Sequence, residues 1–247
     1  MSEILIVSGT GTDVGKTIVT AAIAANVIRA GKSVSVVKPG QTGVTGDEPG
    51  DLAVVAALTS SIEGAADRLL LHEYGRYEPP LAPATAARIS GQPPLVLSDV
   101  VASIQGLTSD FIVVEGAGGL LVKYSDEPVW TIADLARELN AEVLLVVASG
   151  LGTLHHTSAT LEALASRGLT TPGLVIGQWP VEPSLAEKTN VVDLQDLGAP
   201  LVGAFPAQAG LSGEFAHIAA TSLHPRLGGT FDEADFTHTH HTQELNR

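Results

Sequence analysis

Residues 8–17 read Ser8-Gly9-Thr10-Gly11-Thr12-Asp13-Val14-Gly15-Lys16-Thr17, a glycine-rich segment between the apolar run Ile4 to Ser8 and a helix-forming stretch, Lys16 to Ala30. Strand, glycine-rich turn and helix start, in that order, make a cradle for phosphate groups. The glycines let the backbone curl so that successive N–H groups face the anion, and the positive end of the following helix adds to the attraction. Lys16 is placed to neutralise β and γ phosphates, and the Thr17 hydroxyl to ligate Mg²⁺. The segment departs from the strict Gly-x-x-x-x-Gly-Lys-Ser/Thr pattern at one place: position 10 is threonine, and the leading glycine, Gly9, stands one residue further away. A glycine-rich turn that merely caps a helix is the alternative reading.

Working outward, apolar runs bounded by turn residues predict strands at Ile4 to Ser8, Val34 to Lys38, Phe111 to Glu115, Val143 to Ala148, Leu174 to Ile176 and Leu201 to Phe205. Their continuous apolar character predicts burial on both faces. Helices are predicted at Lys16 to Ala30, Asp51 to Leu58, Thr131 to Leu139, His155 to Arg167 and Glu182 to Leu197, with stops at Gly31, Asn140, Gly168 and Gly198. The proline-rich stretch Tyr74 to Pro94 reads as loops and short helices. Alternation of strand and helix implies an α/β fold. The expectation is a single P-loop NTPase-like domain over residues 1–224, with a mainly parallel central sheet and helices on both faces. Residues 225–247 turn polar after Gly228-Gly229 and hold His238, His240 and His241, so this segment is expected to be a tail without order, native or incidental.

Composition narrows the function. A chain of 247 residues with 45% hydrophobic and 16% charged residues can fill one sizeable core. No cysteine is present, which removes disulfides, a thiolate nucleophile and a cysteine-based zinc site. The formal net charge of −14 argues against nucleic acid or anionic lipid as partners. No run approaches the ~18 apolar residues of a membrane span, and a cytoplasmic location is expected.

A triphosphate site needs more groups than its loop. Glu115 ends the strand Phe111-Ile112-Val113-Val114 and precedes Gly116-Ala117-Gly118-Gly119, which aims its carboxylate into the crevice as a metal ligand; a strand-end carboxylate held by a turn is the plainer reading. Asp51 opens a helix and reads either as a second metal ligand or as an N-cap. Lys38, in Val37-Lys38-Pro39, reads either as a catalytic lysine that stabilises charge as a phosphoryl group moves or as a solvent-facing lysine at a strand terminus. Thr42, alone, reads as turn chemistry.

Taken together, Gly9 to Thr17, Val37-Lys38-Pro39 and Val114-Glu115-Gly116-Ala117-Gly118-Gly119 resemble the dethiobiotin synthetase family, in which the extra P-loop residue also occurs. Glu78-Pro79-Pro80-Leu81-Ala82-Pro83, Thr131-Ile132-Ala133-Asp134 and Gly150-Leu151-Gly152-Thr153 are weaker matches, so the resemblance spans about residues 1 to 224. It implies a homodimeric ligase of biotin synthesis that makes a cyclic urea from 7,8-diaminononanoate, CO₂ and ATP or another nucleoside triphosphate, with Mg²⁺. On this resemblance Lys38, Lys16 and Thr12 are catalytic, and Thr17, Asp51 and Glu115 hold the metal. Nucleotide contacts fall to Asp13, Val14, Gly15, Lys16, Thr17, Ile18, Glu115, Gly118, Gly177, Gln178, Pro206 and Ala207. Substrate contacts fall to Thr12, Lys38, Thr42, Gly118 and the partner chain's Gly150, Leu151, Gly152 and Thr153, before a helix whose His155 and His156 read equally as solvent-exposed.

One departure stands out. Family members commonly carry an Asn-Asp pair, the asparagine reading adenine, where this chain has Gly177-Gln178-Trp179-Pro180. Weak discrimination among nucleoside triphosphates is therefore expected. The alternative is a ParA- or MinD-like switch ATPase, but position 11 is glycine where those proteins typically carry lysine, and the acidic segment Phe231 to Arg247 has little apolar periodicity. An amidotransferase-type synthase would need a nucleophilic cysteine, and there is none.

Overall fold

The computed structural model describes residues 2–241. Along the chain run β1 (Glu3–Gly9), α1 (Lys16–Arg29), β2 (Val34–Thr42), α2 (Asp51–Thr59), α3 (Ala65–Arg68), β3 (Leu69–Tyr77), α4 (Pro83–Ser90), α5 (Leu97–Gln105) and β4 (Phe111–Gly119). Next come β5 (Lys123–Asp126), β6 (Val129–Thr131), α6 (Ile132–Leu139), β7 (Glu142–Val147), α7 (Thr153–Ala165) and β8 (Leu174–Trp179). The chain closes with α8 (Leu185–Asp193), β9 (Leu201–Pro206), α9 (Phe215–Thr221) and α10 (Glu233–His240).

Seven strands form one sheet in the order β3-β2-β4-β1-β7-β8-β9, and every pairing in it is parallel. Parallel strands need crossovers, and these place helices on both faces, which is why the inner strands read as unbroken apolar runs. On one face α1, α2 and α9 cover a core that includes Val19, Ile23, Val55, Phe205 and Phe215. On the other, α5 and α6 cover Ile6, Val114, Ile104, Ile132 and Leu135. Helix α1 is apolar nearly all round because it is enclosed by the sheet, α2 and α9. A capping box of Thr131 and Asp134 starts α6, and Asn140, in the left-handed region at φ 50°, ends it as its sequence predicts. Among the described residues no helix is long and apolar enough to cross a membrane.

Besides α3, the β5–β6 hairpin and α9, which the sequence reading leaves without an element, three regions differ from it. The stretch from Leu69 through Tyr77 is a strand rather than the start of a loop region; it forms the sheet edge, and residues such as His72, Glu73 and Arg76 break the apolar run expected of inner strands. Helix α5 was not predicted, since Val100 and Ile104 are its only buried side chains. Residues 225–241 are not an orderless tail: Phe231 is buried with Trp179 and Leu201, and α10 packs beside it. Two aromatic residues in a polar segment suffice for docking but leave no periodic pattern to read. The remainder of that segment, 242–247, lies outside the described residues.

The segment after β9 is tied to α1 by Asn26, buried, whose Nδ2 donates to the carbonyls of Ala219 at 3.1 Å and Leu227 at 3.2 Å. Replacing Asn26 by alanine strands both carbonyls, and urea unfolding is expected to show a loss of roughly 1–3 kcal/mol of stability.

Candidate active site

The carboxyl ends of β1, β2 and β4 open onto a cleft of about 810 Å³. Strand order reverses around β1, which has β4 on one side and β7 on the other, and such reversals leave a crevice at the carboxyl edge of a parallel sheet. Thr12, Asp13, Gly15, Lys16, Thr17, Ile18, Lys38, Thr42, Asp51, Glu115, Gly118 and Gln178 all line this cleft, as their sequence positions predict.

Its floor is a charge cluster. Lys38, 3% exposed, donates to Glu115 Oε1 at 2.9 Å and to the Gly116 carbonyl at 3.3 Å, and its ammonium also pairs with Asp51. Thr17 Oγ1 donates to the same Glu115 Oε1 at 2.9 Å. Burial alone would lower the Lys38 pKa; the Glu115 and Asp51 carboxylates more than offset it and hold the amine protonated above the usual lysine range. Burial would likewise raise Asp51, but Lys38 keeps its carboxyl below the ordinary value. Lys16 is pushed the other way, first by burial and then by the Lys38 charge, and its Nζ donates to the Gly11 carbonyl at 2.8 Å. Lys38 is therefore not a solvent-facing lysine, and Asp51 is not an N-cap: that position belongs to Gly50, while Gln41 Oε1 accepts the Asp51 N–H at 2.9 Å.

The donor set suits a hard divalent cation. Thr17, Asp51 and Glu115 offer oxygens at one point, and Glu115 Oε2 is buried with no hydrogen-bond partner among the described residues. An orphaned buried carboxylate oxygen is costly unless a ligand satisfies it. With two carboxylates and a hydroxyl, the set stays below a cluster of three His, Cys, Asp or Glu side chains, and no such cluster occurs among the described residues.

Several residues contribute without an obvious sequence signal. Gln41 and the Pro80 to Pro83 turn line the cleft; the latter lies in the Glu78-to-Pro83 match but carries no chemical group that marks it. Tyr124, fully buried and stacked on Trp130 at 4.5 Å, accepts the Ala117 N–H at 2.7 Å and so fixes the turn behind Glu115. Burial pushes its hydroxyl up to about 12.

Other sequence-predicted residues lie apart. Val14 and Gly177 sit behind the loop rather than in the cleft, and Pro206 and Ala207 stand at the end of β9 outside its lining. Gly150, Leu151, Gly152 and Thr153 do not line it either. The Thr153 hydroxyl is committed to the Ala148 carbonyl at 2.7 Å, so that side chain is unavailable to a substrate, and His155 and His156 are exposed.

A family model described as an AAA domain matches residues 3–214. The ATP-dependent dethiobiotin synthetase BioD of Parafrankia sp. (strain EAN1pec) is 52% identical over 239 residues, covering 95% of this chain and 97% of that protein. The chain belongs to the dethiobiotin synthetase family. The family's enzyme from Rhodococcus erythropolis (strain PR4 / NBRC 100887) is also 52% identical, over 226 residues, covering 90% of this chain and 96% of its own. The MinD cell division protein of Aquifex aeolicus is similar in structure, with a TM-score of 0.55 at 15% identity over 88% of this chain and 87% of that one. That likeness is one of fold alone, and the switch-ATPase alternative is not favoured.

Two glycines hold the loop in place. A Cβ on Gly177 would overlap the Val14 carbonyl oxygen and approach Val146 Cγ1 at 2.8 Å, while a Cβ on Gly15, at φ 101°, would meet the Gly177 carbonyl oxygen at 2.8 Å. Gly177→Ala is expected to displace the P-loop and lower kcat/KM for the nucleotide by on the order of 10²-fold, with the far-ultraviolet circular dichroism unchanged. Steady-state kinetics on the variant checks this.

Proposed function

We infer that the cleft forms the cyclic urea of dethiobiotin from 7,8-diaminononanoate, CO₂ and a nucleoside triphosphate. The observation that carries this reading is the convergence of Lys16, Thr17, Lys38, Asp51 and Glu115 at one point of the cleft, in a chain of this family. One substrate amine adds to CO₂ and loses a proton, giving a carbamate. A carbamate oxygen attacks the γ-phosphorus, and the nucleoside diphosphate leaves. The second amine attacks the activated carbonyl carbon, phosphate departs with the C–O electron pair, and the ring closes with loss of a proton.

Little covalent chemistry falls to the protein, so alignment and charge neutralisation carry the rate. The P-loop backbone and Lys16 hold the phosphates. Lys38, kept protonated and buried, faces the reacting oxygens together with Thr12, while Thr42 and Gly118 position the diamine. Thr17, Asp51 and Glu115 would hold Mg²⁺, which when bound supplies positive charge to the β and γ phosphate oxygens. With no side chain at Gly177, base contacts run through backbone around Gly177, Gln178, Pro206 and Ala207, which supports weak discrimination between ATP, CTP and GTP.

A homodimer completes the substrate site in this reading. Leu151 and Val181 are 92% and 91% exposed, on the loops after the adjacent strands β7 and β8, and Leu185 beside them is also exposed. Apolar side chains clustered this way suit a second copy of the chain. The backbone N–H groups at the start of α7 suit the carboxylate of the partner's substrate.

Phosphate release from each of the three nucleotides, in bicarbonate buffer with Mg²⁺, is expected to require the diamine, and Lys38→Ala to lower kcat by roughly 10²–10³-fold. Release that ignores the diamine overturns the ligase reading, and a preference for ATP of several orders of magnitude overturns weak base discrimination. Leu151→Asp is expected to halve the particle mass in light scattering and raise KM for the diamine. Wild-type mass and KM in that variant would sink the shared site.

A further inference from the structure

The polar segment after Gly229 has no part in the chemistry above, yet it is built against one side of the proposed base site. Trp179, the last residue of β8, follows Gly177 and Gln178 directly, and its carbonyl accepts the Ala207 N–H at 2.7 Å. That bond fixes the distance between the two strand ends assigned to the nucleobase. The indole is 7% exposed, and its Nε1 has no hydrogen-bond partner among the described residues, so packing sets its position.

Part of that packing comes from α10, beside core residues such as Leu201 and Val191. Phe236 meets the indole edge-on, with ring centroids 5.3 Å apart, and the His240 ring lies 5.1 Å from it. Phe231 supports Phe236 from behind at 5.4 Å. Two polar anchors hold the helix in place: Glu233 Oε1 accepts the Leu201 N–H at 3.2 Å, and Thr237 Oγ1 accepts from Gln195 Nε2 at 2.9 Å; Asp232 caps it by accepting the Asp235 N–H at 2.9 Å. An eight-residue helix has almost no stability of its own, so α10 exists because it is docked. Its polar sequence, in which Phe236 is the one large apolar side chain, concentrates the docking on the Trp179 contact.

We propose that residues 231–240 form a clasp that positions the nucleobase edge of the cleft, with Trp179 and Phe236 as positioning residues. The clasp acts on the base more than on the phosphates, because α10 packs on Trp179, whose carbonyl holds the Ala207 end of the base edge, whereas the P-loop rests on Gly177 and Gln178 and is built at the start of α1. This rests on the reading of Gly177 to Ala207 as the base edge.

The experiment is calorimetric titration of the full chain and its Phe236→Ala and Phe236→Leu variants with MgATP, MgCTP and magnesium tripolyphosphate, a ligand without a base. Phe236→Ala is expected to weaken both nucleotides by up to about tenfold, the scale of one lost aromatic pair. Tripolyphosphate affinity should be unchanged, and Phe236→Leu, which refills most of the space, should recover most of the loss. Wild-type nucleotide affinity in Phe236→Ala overturns the proposal, as does an equal loss for nucleotide and tripolyphosphate, which would mark a general structural role. A wild-type protein that binds tripolyphosphate and both nucleotides equally has no base edge, and that result removes the underlying reading along with the clasp.

Discussion

The ion cluster of Lys38, Asp51 and Glu115 is the constraint around which the molecule is arranged. An ammonium 3% exposed and a carboxylate 1% exposed are costly to bring out of water, and they persist only when each meets opposite charge in good geometry. Three separate chain segments must therefore arrive at one point: the middle of β2, the start of α2 and β4. The parallel sheet does this by placing β2 and β4 side by side in fixed register, with Val37 opposite Val114 one residue before each charged side chain. Stability is not what such a cluster contributes best, since apolar residues of the same volume would pack at least as well. Its value lies in holding charge, already desolvated and oriented, where phosphoryl transfer needs it.

A second constraint is steric. The P-loop lies directly on β8, and only glycine at positions 15 and 177 permits that approach. With no side chain at 177, the two backbones can touch. Gln178 reinforces the contact, its Nε2 donating to the Asp13 carbonyl at 3.0 Å, while Asp13 itself takes the left-handed region at φ 59°. The P-loop and the carboxyl end of β8 are thus parts of one packed unit.

The five inner strands, the edge strand β9 and the phosphate loop were legible because burial on both faces forces unbroken apolar runs, and because a backbone cradle demands glycines at fixed places. Lys38 and Glu115 stood out as charges ending apolar runs, but their sequence left a solvent-facing lysine and a plain strand-end carboxylate open, and it is burial and mutual pairing that exclude the former. What escaped reading depends on partners distant in sequence. Strand β3 is specified by its pairing with β2 more than by its own residues, and α5 by two side chains. Tyr124 looks like any core tyrosine until its hydroxyl is found on the Ala117 N–H. The docking of α10 on Trp179 joins segments about fifty residues apart and leaves no periodic trace. Gly150 to Thr153 lie outside the cleft lining, and nothing in their own sequence marks that placement.

The sheet order also bears on how the chain is made. Strand β1 leaves the ribosome well before its two neighbours, β4, from residue 111, and β7, from residue 142. More than a hundred residues must be synthesised before either edge of β1 can be paired, and α1 behind it has no sheet to cover until then. During that interval the nascent chain carries an unpaired apolar strand and a largely apolar helix, a combination that invites association with other chains. Survival of the newborn protein is therefore a matter of shielding β1 and α1 until the middle of the sheet emerges.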